Sequence, residues 1–285
     1  MPSTREIRRR IRSVTNTAQI TKAMEMVSAV KMRRAQAAVI ASRPYAEKMA
    51  ELLASLAANN SGLGHPLLGV RPIKRIGLVL ITSDRGLCGA LNINVIRTAA
   101  AYSLEQSTPA GLVTIGRRGR DWMSRRGVEI VADLPTLPDR PALLDIAPAA
   151  RVVMDSYASG AFDAVYLVYS DFRSTTSQVA RRKQLLPVEL ARGTSQQLAD
   201  YIFEPSADAV LNDLLPRFVE SEIYEAVLES RASEHSARMI AMHNATANAE
   251  DVVEDLTLSY NKARQAGITR EILEIASGAE ALSQG

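Results

Sequence analysis

The sequence has little cysteine, few aromatic residues and no long apolar run. Cys88 is the single cysteine in 285 residues, which excludes an internal disulfide and favours a reducing compartment. Aromatic residues make up 5% of the chain, a content that suits long helices better than a β-rich core. No apolar run approaches the roughly 18 residues that a membrane-spanning helix needs. No signal-peptide apolar segment follows the basic start. We therefore expect a protein that is soluble or that other proteins hold at a membrane.

The chain also lacks a large net charge. Its formal charge of +3 is too small for a dedicated nucleic-acid-binding protein. The positive charges are concentrated near the N-terminus, at Arg5, Arg8, Arg9, Arg10, Arg12, Lys22, Lys31, Arg33 and Arg34. Three interpretations stay open: a solvated face, a surface for nucleic acid or an anionic membrane, or a positive rod inside a negatively charged sleeve of partner subunits.

The last third of the chain, from about residue 207 to residue 282, reads as one helix with a regular seam. The seam positions alternate in steps of four and three residues, which average to the heptad period of about 3.5 that winds paired helices together. They are Leu228, Ala232, His235, Met239, Met242, Thr246, Ala249, Val253, Leu256, Tyr260, Ala263 and Gly267. A helix of about 100 Å, at about 1.5 Å per residue, cannot bury this stripe on itself and needs a partner along its length.

Residues 3–58 read as a second long helix and are the expected partner. Its apolar positions step regularly at first and then less regularly: Ile7, Ile11, Val14 and Ala18, then Ile20, Met24, Val27 and Val30. Two helices from opposite ends of a chain can pair antiparallel when a compact domain separates them. We therefore expect a long antiparallel coiled coil of the N- and C-terminal helices.

The middle of the chain predicts a Rossmann-like α/β domain. Strands are expected near residues 76–81, 111–116, 128–131 and 163–169, helices near 92–106, 117–126 and 142–159, and a partly charged edge strand or hairpin at 178–189. This alternation implies right-handed crossovers and a mainly parallel sheet covered on both faces. The predicted segments are an N-terminal helix (1–58), a linker (59–74), the α/β domain (75–190), a return segment (191–206) and a C-terminal helix (207–285).

The turn after the first predicted strand, residues 81–92, lies where a doubly wound sheet often binds phosphate. Its glycines do not form G-x-G-x-x-G, and G-x-x-x-x-G-K-[ST] does not occur in the sequence, so we favour tight-turn glycines over a cofactor site. Cys88 has no histidine near it in sequence, which favours a packed thiol over a nucleophile. His235 and His243 lack a third ligand, so no metal is expected, and His235 is predicted to pack between the helices.

Three motifs, spread in order over the whole chain, resemble one known family. Residues 20–27 (ITKAMEMV), 83–89 (SDRGLCG) and 260–271 (YNKARQAGITRE) are similar to the gamma subunit of the rotary, F-type ATP synthase. The resemblance implies a non-catalytic subunit without a cofactor. Its terminal helices form a shaft inside a ring of alpha and beta subunits, and its α/β foot lies with the epsilon subunit on the c ring. Rotation of this asymmetric shaft forces the beta sites through different conformations.

The resemblance also implies which shaft residues contact the beta subunits. Met24 and Arg238 match positions near a beta-subunit loop at the lower part of the shaft. Arg264 and Gln265 match a pair that hydrogen-bonds a beta-subunit loop higher up. A charged and an amide side chain beside an apolar seam indicate a hydrogen-bond acceptor on another subunit. Met24 could instead pack between the two helices.

Further positions are implied at the two ends of the subunit. Thr269 and Glu274 match positions linked to the same coupling, although Thr269 could also pack between helices. Tyr201 and Glu204 match the segment of the foot that faces the c ring. Apolar residues past Gly267 cover a face wider than a two-helix seam, so this end is expected either to enter another structure or to be a frayed terminus.

The family form expected here is bacterial. The match begins at the N-terminus without a transit peptide, and the chain lacks the cysteine-bearing insertion of the chloroplast form. Both points favour a peripheral subunit on the cytoplasmic face of the plasma membrane, with membrane contact only through other subunits and no nucleic acid bound. Two alternatives stay open: a Rossmann-type nucleotide-binding protein dimerised through its long helices, and a basic coiled-coil protein that binds nucleic acid.

Overall fold

The structure, a computed structural model, describes residues 3–59, 64–105, 108–134, 136–189, 203–204 and 206–283. Its helices are α1 (Thr4–Asn59), α2 (Leu91–Glu105), α3 (Arg117–Ser124), α4 (Leu143–Ala158) and α5 (Ala207–Ser283). Its strands are β1 (Ile76–Ile81), β2 (Ala110–Ile115), β3 (Ile130–Leu134), β4 (Ala164–Phe172) and β5 (Gln178–Leu186), and a 3-10 turn spans Pro66–Leu68.

The chain divides into two compact units. One unit, Ser28–Arg238, contains the sheet and is called the α/β unit below. The other combines Met1–Val27 with Met239–Gly285 and is called the helix-pair unit. Since α1 and α5 each contribute to both units, the two long helices predicted from the sequence are present.

The five strands of the α/β unit form one sheet in the order β3-β2-β1-β4-β5. Strands β1 to β4 run parallel to one another, and β5 pairs antiparallel with β4 at one edge. This arrangement confirms the predicted mainly parallel sheet. The charged strand β5 lies at the edge, as its polar sequence indicates, because only one of its sides must pair with another strand.

Strand β1 is central and is buried on both faces. Ile76, Leu78 and Leu80 pack with α2 and α3 on one face. Val79 and Ile81 point to the other face, where the larger core lies. Alternate side chains of a strand point to opposite faces, so a strand covered on both reads as a continuous apolar run. That is why this strand could be located from sequence alone.

The larger core draws on both long helices as well as α4. Its α1 members are Met49, Leu53 and Leu56, and its α5 members include Leu211, Leu215, Val219 and Ile223. These positions recur every three or four residues, so each helix presents one apolar stripe to the sheet. The first turns of α5 and the last turns of α1 are therefore part of the α/β unit's core.

Strand β3 begins later than the sequence predicted. The expected strand was 128–131, whereas the observed one is Ile130–Leu134. Val128 packs against the core beneath α2 and α3 and does not pair with β2. The sequence did not indicate a strand as far as Leu134, because a charged residue such as Asp133 is unusual in a strand. In the structure the guanidinium of Arg120 contacts the carboxylate of Asp133 at 2.9 Å.

Gly116 combines a positive φ of 100° with very close packing at the end of β2. A Cβ placed there would lie 2.0 Å from the carbonyl oxygen of Thr82. We expect Gly116→Ala to lower the free energy of unfolding by about 2 kcal/mol or more, through backbone strain and this clash. Urea unfolding followed by circular dichroism measures the change.

Gly64→Ala is the matched control, since a Cβ at Gly64 would meet no atom within 4 Å. It should change the free energy of unfolding by less than about 0.5 kcal/mol. Equal effects of the two substitutions would contradict the packing described at Gly116.

Candidate partner-contact surfaces

In the helix-pair unit, the shielded positions of α5 follow the seam predicted from the sequence. Met242, Thr246 and Ala249 are buried. The positions that continue the pattern are partly buried and are Val253, Leu256, Tyr260, Ala263 and Gly267. The steps of four and three residues hold throughout, so the heptad pattern describes a real packed interface.

Side-chain contacts fix the direction of the two helices. Thr21 Oγ1 lies 2.8 Å from Thr246 Oγ1 inside the seam. Thirteen residues earlier in α1, the guanidinium of Arg8 donates a hydrogen bond of 2.5 Å to the hydroxyl of Tyr260. Residue numbers fall along α1 as they rise along α5, so the helices are antiparallel, as predicted.

The α1 side of the seam differs from the sequence prediction. Ile20 and Val27 were expected in the seam but are 60% and 55% exposed, and Val30, in the α/β unit, is also exposed. The buried position is Thr21, whose hydroxyl is satisfied by backbone carbonyls of its own helix and by Thr246. A polar residue can therefore occupy the seam. The regular spacing of seam positions on α1 includes Thr21 and leaves out Ile20.

Met24 lies half-buried beside this seam. Its neighbour Glu25 contacts Lys22 at 3.1 Å and His243 of α5 at 3.2 Å. The hydrogen bond from Lys22, followed by the interaction with His243, holds the pKa of the Glu25 carboxyl below its usual value, and partial burial opposes them. Charged side chains thus line the rim of the seam at the level of Met24.

The predicted contact residues near the end of α5 are all exposed. Arg264 and Gln265 lie beside the last seam positions, and Thr269 and Glu274 follow them. None of the four forms an ion pair or a side-chain hydrogen bond with another residue of the described ranges 3–59 and 206–283. Thr269 is exposed in the described part of the chain, which favours the partner-contact prediction over helix packing.

The apolar residues past Gly267 are also exposed. They are Ile268, Ile272, Leu273 and Ile275. Several large apolar side chains exposed together on one helix are typical of surfaces that bind other molecules. The broad apolar face noted in the sequence is therefore available for a partner.

In the α/β unit, α5 covers the carboxyl ends of the central strands. Ser233 donates a hydrogen bond of 3.1 Å to the backbone carbonyl of Ser170 in β4. The backbone N–H of Ser170 donates to Ser230 Oγ at 3.4 Å, and Arg231 donates to the carbonyl of Leu137 at 3.0 Å. A doubly wound sheet usually binds its ligand at this edge, next to the point where the strand order reverses.

The space left between the β1 turn, β4 and α5 is very small. A cavity of about 20 Å³ remains between the β1 turn, β4 and α5, lined by residues that include Ser83, Ser170 and Ser230. A single water needs about 10–15 Å³ by the same measure. A nucleotide therefore has no room in this crevice, which argues against the nucleotide-binding alternative.

Arg238 is engaged inside the chain. Its guanidinium bonds to Glu234 Oε1 at 2.8 Å and donates to the carbonyl of Gly86 at 3.2 Å, and its side chain is 11% exposed. Arg231 contacts the other oxygen of Glu234 at 3.3 Å. This buried charge network ties α5 to the turn that follows β1.

The turn itself, residues 83–89, presents one apolar side chain. Leu87 has a positive φ of 63° and is exposed. Cys88 is buried beneath it, and this burial raises the pKa of its thiol, as the packed-thiol interpretation predicts. The amide oxygen of Asn92 accepts the backbone N–H of Ser83 at 3.0 Å and so holds the two ends of the turn together.

The remaining predicted positions lie just before α5. Glu204 is exposed at a bend, and Tyr201 lies outside the described residues. The described segments contain no helix that is both long and apolar enough to cross a bilayer. They also contain no cluster of three or more His, Cys, Asp or Glu side chains arranged for a metal ion.

Sequence reasoning missed the contact between α5 and the sheet edge. The signal was present as serines at residues 230, 233 and 236, spaced three apart in an otherwise apolar stripe. Small hydroxyl side chains at that spacing share one helix face and suit a close approach to backbone groups.

Comparisons with known sequences agree on one family. Residues 3–282 match the family described as ATP synthase. The ATP synthase gamma chain of Roseiflexus castenholzii is 51% identical to this chain over 289 residues and is covered over 100% of both lengths. The gamma chain of Chloroflexus aurantiacus is 52% identical, with 99% of this chain and 100% of that protein covered.

Solved structures show the same architecture. A chain in the central stalk and c-ring structure of the Tetrahymena thermophila mitochondrial ATP synthase is 28% identical, with a TM-score of 0.61 over 79% of this chain and 99% of that one. A chain of the Euglena gracilis mitochondrial ATP synthase shares the fold with a TM-score of 0.69 at 21% identity, over 98% of this chain and 94% of that one.

Replacing the buried Arg238 and the exposed Arg264 should change the stability of the chain by very different amounts. We expect Arg238→Ala to lower the free energy of unfolding of the isolated chain by about 2 kcal/mol or more, because Glu234 stays buried with one partner fewer. Arg264→Ala should change it by less than about 0.5 kcal/mol, because Arg264 is exposed. Urea unfolding of both variants tests this, and an equally large loss for Arg264→Ala would contradict the assignment of that residue to the free surface.

Proposed function

The chain belongs to the family of ATP synthase gamma chains, and from this premise we propose how its residues act in the rotor. The gamma chain is the central rotor shaft of the proton-translocating ATP synthase and couples c-ring rotation to conformational changes at the beta-subunit catalytic sites. We infer that this chain carries no active site of its own. The small cavity between the β1 turn, β4 and α5 and the missing phosphate-binding fingerprint support that inference.

The observation that carries the proposal is the antiparallel seam of the helix-pair unit. Two helices packed at heptad spacing resist bending and twisting more than one helix, because each bend must also displace the interlocked side chains. The bonds from Arg8 to Tyr260 and between Thr21 and Thr246 add fixed points along it. A stiff rod of this kind can transmit torque.

The coupling step is a shift of conformational equilibrium. A ligand changes the balance between two states only by binding them with different affinity. In this proposal the ligand of each beta subunit is the face of the shaft turned toward it. The faces differ because α1 carries a cluster of five exposed arginines, whereas the exposed apolar end belongs to α5. The arginines of this cluster are Arg5, Arg8, Arg9, Arg10 and Arg12.

We assign partner contacts at the end of the shaft to four exposed residues. Arg264 and Gln265 are free to hydrogen-bond a beta-subunit loop, since both side chains are exposed. Thr269 and Glu274 extend the same surface toward the end of α5. The exposed apolar side chains among them, such as Ile272, supply the buried centre that a stable interface requires.

Two further beta-subunit contacts are assigned to Met24 and, indirectly, to Arg238. Met24 is half-buried, so it can contact a beta-subunit loop with the part of its side chain that remains accessible. Arg238 is bonded within the chain, so it acts by holding the turn that presents Leu87. Any beta-subunit contact that depends on Arg238 is therefore made by the turn.

The remaining partners follow from the family. We propose that the shaft lies inside the ring of alpha and beta subunits, and that the α/β unit contacts the epsilon subunit and the c ring. Glu204 and Tyr201 are the residues assigned to the c-ring side. The chain would then be peripheral, on the cytoplasmic face of a bacterial plasma membrane, with lipid contact only through other subunits.

Reconstitution tests the assigned contacts. We expect the double variant Arg264→Ala, Gln265→Ala to fold normally and to support ATP hydrolysis with alpha and beta subunits about tenfold more slowly, since a hydrogen bond to a charged group contributes about 1.5–3 kcal/mol. Arg151→Ala, an exposed arginine of α4, is the control and should leave the rate unchanged. An unchanged rate in the double variant refutes these contacts, and failure of the unaltered chain to associate with alpha and beta refutes the shaft itself.

A further inference from the structure

Within the α/β unit, α5 carries three carboxylates toward the antiparallel strands β4 and β5. They are Glu222, Glu225 and Glu229, here called the carboxylate row. The spacings of three and four residues place them on one helix face. None of them is fully exposed, so the row lies at the contact between α5 and the sheet edge.

The three carboxylates are not equally compensated. Glu222 forms an ion pair with Lys183 of β5. Glu229 has no ion pair among the described residues, and its Oε2 atom is completely buried without a hydrogen-bond partner there. A buried carboxylate oxygen without a partner is costly when ionised and much less costly when it carries a proton.

The surroundings of Glu229 are rich in negative groups. Strand β4 contributes the carboxylate of Asp171, which is already shared by Arg173 at 3.6 Å and Arg181 at 3.9 Å. Strand β4 also contributes the neutral hydroxyl of Tyr169, whose hydrogen bond to the Glu229 side chain opposes the rise in the pKa of that carboxyl. The charged and titratable groups that act on Glu229 or its neighbour Glu225 come from α1, β4, β5 and α5 and are Arg43, Glu47, Tyr169, Asp171, Lys183, Glu222 and Glu225.

This environment changes the ionisation of the group. Burial, and after it the negative charges of Asp171 and Glu225, raise the pKa of Glu229 to about 7. Burial also raises the pKa of Glu225. In the unfolded chain Glu229 ionises near 4.5, so between these two values the folded chain holds a proton that the unfolded chain has lost. The stabilisation from this proton is complete below about pH 4.5 and is lost as the pH rises through about 7.

We propose that Glu229 is a proton-binding site at the contact between α5 and strands β4 and β5, and that loss of its proton loosens this contact. The ionised carboxylate must be hydrated, and water can reach it only if the helix and the strand edge separate slightly. This pH response is a property of the chain itself and is separate from the rotor function. It makes the attachment of α5 to the sheet weaker on the alkaline side of neutrality.

The test compares the full chain with Glu229→Gln, which has the size of the protonated carboxyl and cannot ionise. Urea unfolding is measured from about pH 5 to pH 8.5. The unfolding constant of the unaltered chain, divided by that of the variant, should rise by up to about tenfold per pH unit as far as about pH 7 and then level off. A ratio that does not change with pH overturns the proposal.

Glu254→Gln is the control, because Glu254 is exposed on the same helix. Its unfolding constant should follow that of the unaltered chain at every pH. A second measurement needs no variant: carbon-13 NMR titration of the chain labelled at glutamate carboxyls. At least one carboxyl should titrate near neutral pH, and the absence of any such resonance overturns the proposal even if Glu229→Gln does not fold.

Discussion

The heptad seam between α1 and α5 is the constraint on which the rest of the helix-pair unit depends. A helix as long as α5 exposes an apolar stripe that only a second helix of comparable length can cover. In this chain the second helix comes from the opposite terminus, so the whole middle of the sequence must fold between two segments that pair with each other. The seam is narrow and made of small or soft side chains such as Ala249 and Met242, which allows two helices to approach closely and remain slender.

Inside the α/β unit, α5 also packs against the sheet. There α5 places Ser230, Ser233 and Arg231 against the carboxyl edge of the sheet, where related architectures hold a cofactor. At this edge, α5 is fastened to the sheet by these hydrogen bonds. A fold that often supports catalysis in other proteins here provides the surface to which a helix of the rotor is attached.

The parts of the structure that follow from periodicity could be predicted, and the parts that depend on single polar contacts could not. The seam of α5 and the strand Ile76–Ile81 were located correctly because burial dictates their apolar patterns. The α1 seam was misread at Ile20 because its true member, Thr21, is a polar residue satisfied by Thr246 across the interface. Arg238 resembled a partner contact in sequence, and only the structure shows that its charge is bonded to Glu234.

The central claim is that the two termini of the chain lie side by side in the assembled enzyme. Spin labels at Ser13→Cys and Asp255→Cys, in a Cys88→Ser background, test it directly by inter-spin distance in the complex with alpha and beta subunits. Both positions are exposed and lie at the same level of the seam. The account predicts a single distance below about 25 Å, because packed helix axes lie about 8–10 Å apart. A distance beyond about 40 Å, several helix diameters of about 10 Å, would contradict it.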